Sequence, residues 1–155
     1  MLEVLMYLFE NYNNDPLEAH TAPSEVRDEL LHAGFTEQQI EHAFVWLEAL
    51  AGLEGGRVVE RGQVLGSFRI YTPVESALIS REGQGLLLYL EQLGVLNCEA
   101  REAVIDRVMA LGAEEFDEEQ LKWVVLMVLF NQPGAESSYA WMEDFVYDGL
   151  SELLH

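Results

Sequence analysis

Apolar residues recur every three or four positions along most of the chain, which is the spacing of an amphipathic α-helix. In the first such segment, residues 2–12, they include Val4, Leu5, Leu8 and Tyr12. Other helices are predicted where this spacing follows a start signal and stops at a glycine or proline. Their approximate ranges are 23–33, 35–52, 98–111, 117–131 and 139–154, with a further helix start at Thr72–Glu75 and a helical pattern through Gly83 and Gly85 to Gly94.

Two of the predicted helix starts use the same kind of start signal. Thr36 with Gln39, and Asp117 with Gln120, fit the capping box, in which each side chain of the pair satisfies a backbone N–H group of the other residue. Because this signal is widespread, we interpret the similarity as two independent uses of it. A distant duplication is the alternative.

Residues 55–72 depart from the helical spacing. They contain four glycines and two short β-rich runs, Val58-Val59 and Phe68–Tyr71, a pattern typical of a β-hairpin. Three helices followed by a hairpin is the order of a winged helix-turn-helix. We therefore predict a mainly α-helical, multi-helical protein with a winged-helix-like unit over residues 1–72 and a C-terminal helical unit over 73–155, packed on the first.

Residues 123–130 are apolar around the whole helical circumference, so each side of this segment needs cover. A central core helix is the preferred interpretation. An interface in a homodimer and a buried strand are the alternatives. The run is much shorter than the roughly 20 residues of a membrane-spanning helix, so no span is predicted.

Composition adds a strong negative charge to this picture. The 155 residues carry 28 Asp and Glu against 8 Lys and Arg, a formal net charge of -20, while half of the chain is hydrophobic. The chain is therefore expected to fold, and to repel phosphate backbones.

The predicted location is cytoplasmic. The one cysteine, Cys98, excludes a disulfide within the chain, and the N-terminus lacks the pattern of a signal peptide.

No residue pattern in the chain predicts catalysis or metal binding. The histidines and Cys98 lack the paired spacings of zinc sites, and no serine lies in the strand-turn-helix elbow of a hydrolase. We therefore predict no catalytic residue, no metal and no cofactor, and a protein that is not an enzyme. An enzyme would need clustered carboxylates with shifted pKa values in a cleft.

The last predicted helix carries the candidate partner-binding residues. Asp144, Asp148 and Glu152 stand four residues apart, with Trp141 and Phe145 close by. Like charges at this spacing destabilise an isolated helix. A solvated face explains such a stripe by itself, and the competing hypothesis is a surface complementary to a basic partner, with the two aromatic residues as anchors.

The predicted hairpin carries a second candidate, a local group of basic residues. Arg57, Arg61 and Arg69 lie in it, opposed by Glu60 alone. A wing arginine contacts phosphate or a minor groove in DNA-binding proteins. The predicted recognition helix, residues 35–52, has several glutamates and no Lys or Arg, so direct nucleic-acid binding is disfavoured.

Several long segments are similar to the bacterial Smg family. They are Leu5–Tyr12, Arg69–Glu75, Leu86–Asn97 and, above all, Leu121–Gly134. The resemblance runs nearly end to end, and the loops Asn13–Thr21 and Gly55–Gly66 depart from it. It implies no assigned activity, cofactor or catalytic residue, so no site is transferred to this chain, and it implies an association with DNA-processing proteins, beside which members are often encoded.

These observations predict a non-enzymatic, acidic protein-interaction module that docks a basic protein, of the kind that handles nucleic acid. The alternative is a winged-helix regulatory protein that binds nucleic acid through its arginine-bearing wing.

Overall fold

The computed structural model describes residues 1–12, 23–53, 69–112 and 116–153. These ranges contain helices α1 Leu2–Tyr12, α2 Pro23–His32, α3 Glu37–Leu53, α4 Pro73–Leu78, α5 Arg81–Gln92, α6 Cys98–Leu111, α7 Glu118–Phe130 and α8 Glu136–Leu153. Within them the one β feature is an isolated bridge between Ile79 and Phe116. The predicted mainly α-helical class is confirmed.

Side-chain capping starts the helices where the sequence indicated. The N–H of Gln39 donates to Thr36 Oγ1 at 3.3 Å, and the N–H of Thr36 donates to Gln39 Oε1 at 3.0 Å. At the start of α7, the N–H of Gln120 donates to Asp117 Oδ1 at 2.7 Å, and the return bond is 3.3 Å. Both predicted capping boxes are confirmed.

Helices α4 and α5 are separated by a short break that the sequence pattern did not indicate. Ser80 starts α5 by accepting a hydrogen bond from the N–H of Gly83 at 3.1 Å. The preceding residue, Ile79, is fully buried, and the N–H of Phe116 donates to the carbonyl of Leu78 at 2.9 Å. The chain therefore leaves helical geometry for two residues, because a new cap and a backbone bond to a distant segment stabilise the break.

The described residues form two compact units, Met1–Ala49 and Leu50–His155. In the first, the rings of Tyr7 and Phe35 meet edge to face with centroids 5.7 Å apart. The Tyr12 hydroxyl donates to a Glu29 carboxylate oxygen, which raises the pKa of Tyr12 to about 12. The predicted division after residue 72 stays a prediction.

Helix α7 forms the core of the second unit. Every residue from Leu121 to Leu129 is buried, and α7 packs against α5, α6 and α8. The interpretation of the apolar run as a central core helix is confirmed for residues 123–129, whereas Phe130, the last residue of the run, is 51 % exposed. One chain supplies this cover, so the burial of α7 does not require a second copy, and the homodimer stays a prediction.

The predicted hairpin falls mostly on residues 58–68, which lie outside the described part of the chain. Its last residues, Arg69–Tyr71, do not form a strand. They are fixed by a side chain, because Arg69 hydrogen-bonds Glu75 of α4 and Glu102 of α6. The β-rich composition of this segment was therefore not sufficient to make Arg69–Tyr71 a strand. None of the helices in the described ranges has both the length and the apolar character that crossing a membrane requires.

Candidate interaction surface

Three of the five Lys and Arg side chains that the structure describes in the second unit are turned into the protein. Arg101 is 7 % exposed, Arg107 8 % and Lys122 6 %. Each makes an ion pair with a carboxylate, at N to O distances of 2.7 to 2.8 Å for the shortest contact. Because a buried charge needs such a partner, these cations are tied to carboxylates at the edge of the core.

Each of these cations pairs with at least one carboxylate that remains at the surface, although Glu91, the nearest partner of Arg101, is only 21 % exposed. The side chains of Glu102, Asp106 and Glu118 are 49 %, 55 % and 50 % exposed. A molecule approaching this unit therefore meets carboxylate oxygens, while the cations that pair with them lie beneath.

The structure places four of the five predicted partner-binding residues on one face of α8. Trp141, Asp144, Phe145 and Asp148 occupy positions i, i+3, i+4 and i+7, which lie along one side of a helix. Trp141, Asp144 and Asp148 are exposed, and Phe145 is half-buried. Glu152 belongs to the end of α8, whose side chains lie outside the described part. We call the four described residues the α8 face.

The two aromatic residues of the α8 face stack on each other and against a cation from α7. The rings of Trp141 and Phe145 lie 5.2 Å apart at 29°. Lys122 Nζ lies 4.8 Å from the centroid of the Phe145 ring. The same ammonium donates to Glu119 at 2.8 Å and lies 3.4 Å from Glu118. The α8 face is thereby joined to two carboxylates at the start of α7.

Sequence reasoning missed the part that Lys122 plays here, because this lysine opens a long apolar run. The available signal was its spacing from Glu118 and Glu119, four and three residues earlier, which favours ion pairs on a helix. Burial by itself would lower the pKa of Lys122, but the hydrogen bond to Glu119 and the charges of Glu119 and Glu118 outweigh burial and raise it. Lys122 is therefore a permanent cation at neutral pH.

The candidate wing residue Arg69 has all of its N–H donors engaged. Nε and Nη2 donate to Glu102 at 2.8 and 3.0 Å. Nη1 and Nη2 donate to Glu75 at 2.8 and 2.9 Å, and Nη1 also donates to the carbonyl of Ile70 at 3.0 Å. The guanidinium carbon lies 5.0 Å from the centre of the Tyr71 ring. Since a guanidinium has five N–H donors, none remains for a phosphate in this arrangement.

Arg69, Glu75 and Glu102 form what we call the Arg69 cluster. The ion pairs within it shift the pKa of each member toward its charged form. The hydrogen bonds from Arg69 lower the pKa of Glu75 and that of Glu102. Those same bonds, first to Glu102 and then to Glu75, raise the pKa of Arg69. The other two candidate wing residues, Arg57 and Arg61, lie outside the described residues.

The first unit carries an open depression of about 350 Å³, lined by Arg27, Glu37, Gln38, Glu41 and His42. Arg27 and Glu41 form an ion pair across it at 2.5 Å, and all five side chains are exposed. Such a site is solvated and lacks the enclosed, partly apolar walls of most small-molecule sites. In the described ranges, no three His, Cys, Asp or Glu residues are grouped so that they would hold a metal ion.

The sequence matches a known family over its full length. The family described as "Protein of unknown function (DUF494)" matches residues 1–155. A "Protein Smg homolog" of Nitrosococcus oceani is 50 % identical over 155 residues, which cover 100 % of this chain and 98 % of that protein. A "Protein Smg" of Sodalis glossinidius is 48 % identical over 157 residues, covering 100 % of both chains. No solved structure matches the chain.

Proposed function

The chain belongs to the Smg family, whose biochemical function is unknown, and we propose that it is a non-enzymatic interaction module that docks a basic protein. The observation that carries this proposal is the arrangement of charges in the second unit. Arg101, Arg107 and Lys122 are buried, and each pairs with a carboxylate that is at least 40 % exposed, namely Glu102, Asp106 and Glu119. A basic partner complements such a surface, whereas an acidic one is repelled by it.

The α8 face is the proposed contact region. Protein interfaces combine aromatic anchors with polar rims, and Trp141 and Phe145 offer the first while Asp144 and Asp148 offer the second. The two rings already stack on each other, so we expect little side-chain entropy to be lost when a partner covers them.

The class of partner follows from charge. Proteins that handle nucleic acid carry clusters of Lys and Arg because those residues neutralise phosphates. Such a cluster is the complement of the surface described above. A cytoplasmic setting is part of the proposal, since Cys98 is a free, exposed thiol, as is usual in a reducing compartment.

The test is retention of cytosolic proteins on the immobilised chain at rising salt. We expect basic proteins to bind at about 50 mM salt and to be released by about 300 mM, because screening weakens contacts between exposed charges. Asp144→Asn combined with Asp148→Asn should weaken retention about fivefold, at about 0.5 kcal/mol for each exposed charge. Identified binders are then purified, and their affinities measured one by one.

The matched control removes two carboxylates elsewhere in the second unit. Glu82 and Glu99 are exposed and lie on α5 and α6, so Glu82→Gln combined with Glu99→Gln changes net charge by the same amount. Near-normal binding of this control is expected. Two results would contradict docking at the α8 face. One is retention that does not change with salt concentration, and the other is an equal loss of retention in both double variants.

The alternative function is regulation through a winged-helix contact with nucleic acid. It is favoured by the three helices α1, α2 and α3 and by the tight junction at Gly34, whose φ of 99° lies in the left-handed region. The engaged donors of Arg69 count against it. A gel shift with duplex DNA at low salt tests it: a shift that Arg57→Ala with Arg61→Ala abolishes supports it, and no shift at micromolar protein removes it.

A further inference from the structure

The protein already seats one cation against the aromatic pair of the α8 face. Lys122 Nζ lies 4.8 Å from the Phe145 centroid while Glu118 and Glu119 balance its charge. The attraction between the ammonium and the ring adds to the charge-assisted hydrogen bonds that the ammonium makes with the carboxylates. The Phe145 ring of the pair thus already binds a basic side chain, and that side chain belongs to the protein itself.

Trp141, the other ring of the pair, lies nearer the solvent. It is 38 % exposed, whereas Trp46 and Trp123 are each 3 % exposed. Asp144 and Asp148 follow it at i+3 and i+7, so two carboxylates share its side of the helix. An indole is the strongest cation–π acceptor among the side chains, and here it has an exposed surface and anionic neighbours.

Of the two basic side chains, arginine fits this arrangement better than lysine. A guanidinium is planar, so it stacks on an indole and still directs N–H groups sideways to carboxylates. An ammonium is a compact, strongly hydrated point charge that gains less from a flat exposed ring.

We propose that Trp141 with Asp144 and Asp148 is a receptor for an arginine side chain of the basic partner. The guanidinium stacks on the exposed surface of Trp141 and donates to Asp144, one turn further along the helix, while Asp148, a second turn along, adds negative charge on the same side. This inference rests on the proposed docking function and deepens it, because it names the residue type that is recognised and the ring that recognises it.

The probes for the test are two peptides, deca-arginine and deca-lysine, with the full chain at low salt. Trp46 and Trp123 are buried, so acrylamide quenching of tryptophan fluorescence reports mainly on Trp141. We expect deca-arginine to protect Trp141 from the quencher and deca-lysine to protect it less. This measurement uses the unaltered protein and does not depend on the folding of a variant.

Affinity is then measured by the fluorescence anisotropy of labelled peptides. Trp141→Ala should weaken deca-arginine binding about five- to tenfold, the size of one partly desolvated cation–π contact, and Trp141→Phe should recover part of the loss. Tyr89→Ala is the control, because Tyr89 is an aromatic residue of α5 in the same unit, exposed to 47 %. The Tyr89→Ala variant should bind deca-arginine with the same affinity as the unaltered chain.

Three results would overturn the inference. The first is that Trp141→Ala binds deca-arginine as tightly as the unaltered chain does, or that Tyr89→Ala weakens the binding instead. The peptide then occupies another part of the acidic surface, and the proposed docking function still stands. Equal affinity and equal protection by the two peptides would remove the preference for arginine. If neither peptide binds at low salt, the proposed docking function fails as well.

Discussion

Arg69 joins three parts of the second unit through one guanidinium. It binds Glu75 at the start of α4, Glu102 on α6 and the carbonyl of Ile70. Glu75 also accepts a hydrogen bond from the N–H of Thr72 at 2.9 Å, so one carboxylate serves both a helix cap and an ion pair. The side chains of Arg69 and Glu75 are 18 % and 14 % exposed, and this partial burial protects the pair from screening by salt.

Replacing Arg69 with alanine should destabilise the second unit and change its response to acid. We expect a loss of about 1–3 kcal/mol in the free energy of unfolding at pH 7, since two carboxylates lose charge-assisted hydrogen bonds. Urea unfolding measures it. Arg81→Ala is the control, because Arg81 is an exposed arginine of the same unit, and it should change stability by less than about 0.5 kcal/mol.

The acid response has a definite sign. The folded pKa values of Glu75 and Glu102 are lowered, chiefly by hydrogen bonds from Arg69, whereas an unfolded chain returns them to about 4.3. A lowered folded pKa contributes stability above the unfolded pKa, and this stability is lost as pH falls through the folded pKa. Below about pH 5 the unaltered chain should therefore lose stability more steeply than Arg69→Ala. Parallel pH profiles would contradict this role of the cluster.

At the scale of the element, α5 contains two glycines with different surroundings. A Cβ atom added at Gly83 would lie 3.1 Å from Ile79 Cγ2 and 3.1 Å from Leu121 Cδ2. At Gly85 the same atom would meet nothing within 4 Å. Close packing therefore explains Gly83 and does not explain Gly85.

Replacing each glycine with alanine should change the stability of the protein in different ways. Gly85→Ala is expected to stabilise the protein by about 0.5–1 kcal/mol, because alanine is the better helix former at an exposed interior position. Gly83→Ala should be at least about 1 kcal/mol less stable than Gly85→Ala, since overpacking offsets the helix gain. Thermal or urea unfolding of both variants measures the difference. Equal stabilisation would show that the contacts around Gly83 are loose.

At the scale of the whole molecule, packing around α7 is the main source of apolar burial in the second unit. Leu126 of α7 is fully buried, whereas Leu88 of α5 is 46 % exposed. Leu126→Ala should cost about 2–5 kcal/mol, the transfer term plus the cavity left behind. Leu88→Ala makes the same chemical change at the surface and should cost less than about 1 kcal/mol. Similar losses in the two variants would contradict α7 as the core.

Charge is also a property of the whole molecule, and composition fixes its amount without fixing its arrangement. The net charge of -20 was known from the sequence. The sequence did not show that Arg101, Arg107 and Lys122 would be turned inward, because burial of a basic side chain depends on which carboxylates other helices bring to it. The proposed docking surface depends on this arrangement more than on the total.

The sequence by itself determined the helical class, most of the helix boundaries, two capping boxes, the central place of α7 and the family. These depend on residues a few positions apart or on composition, and such signals act before any tertiary contact forms. It did not determine the break at Ile79-Ser80, where a bond from Phe116 holds the chain.

The tertiary structure decided the contacts that define the candidate site. Arg69 meets Glu102 across 33 residues, and Lys122 of α7 meets Phe145 of α8. Each pairing depends on how helices are placed in space, which no local pattern encodes. The α8 face was visible in the sequence as a stripe of charge beside two aromatic residues. The contact between Phe145 of this face and the buried cation Lys122 of α7 forms only when the two helices pack together.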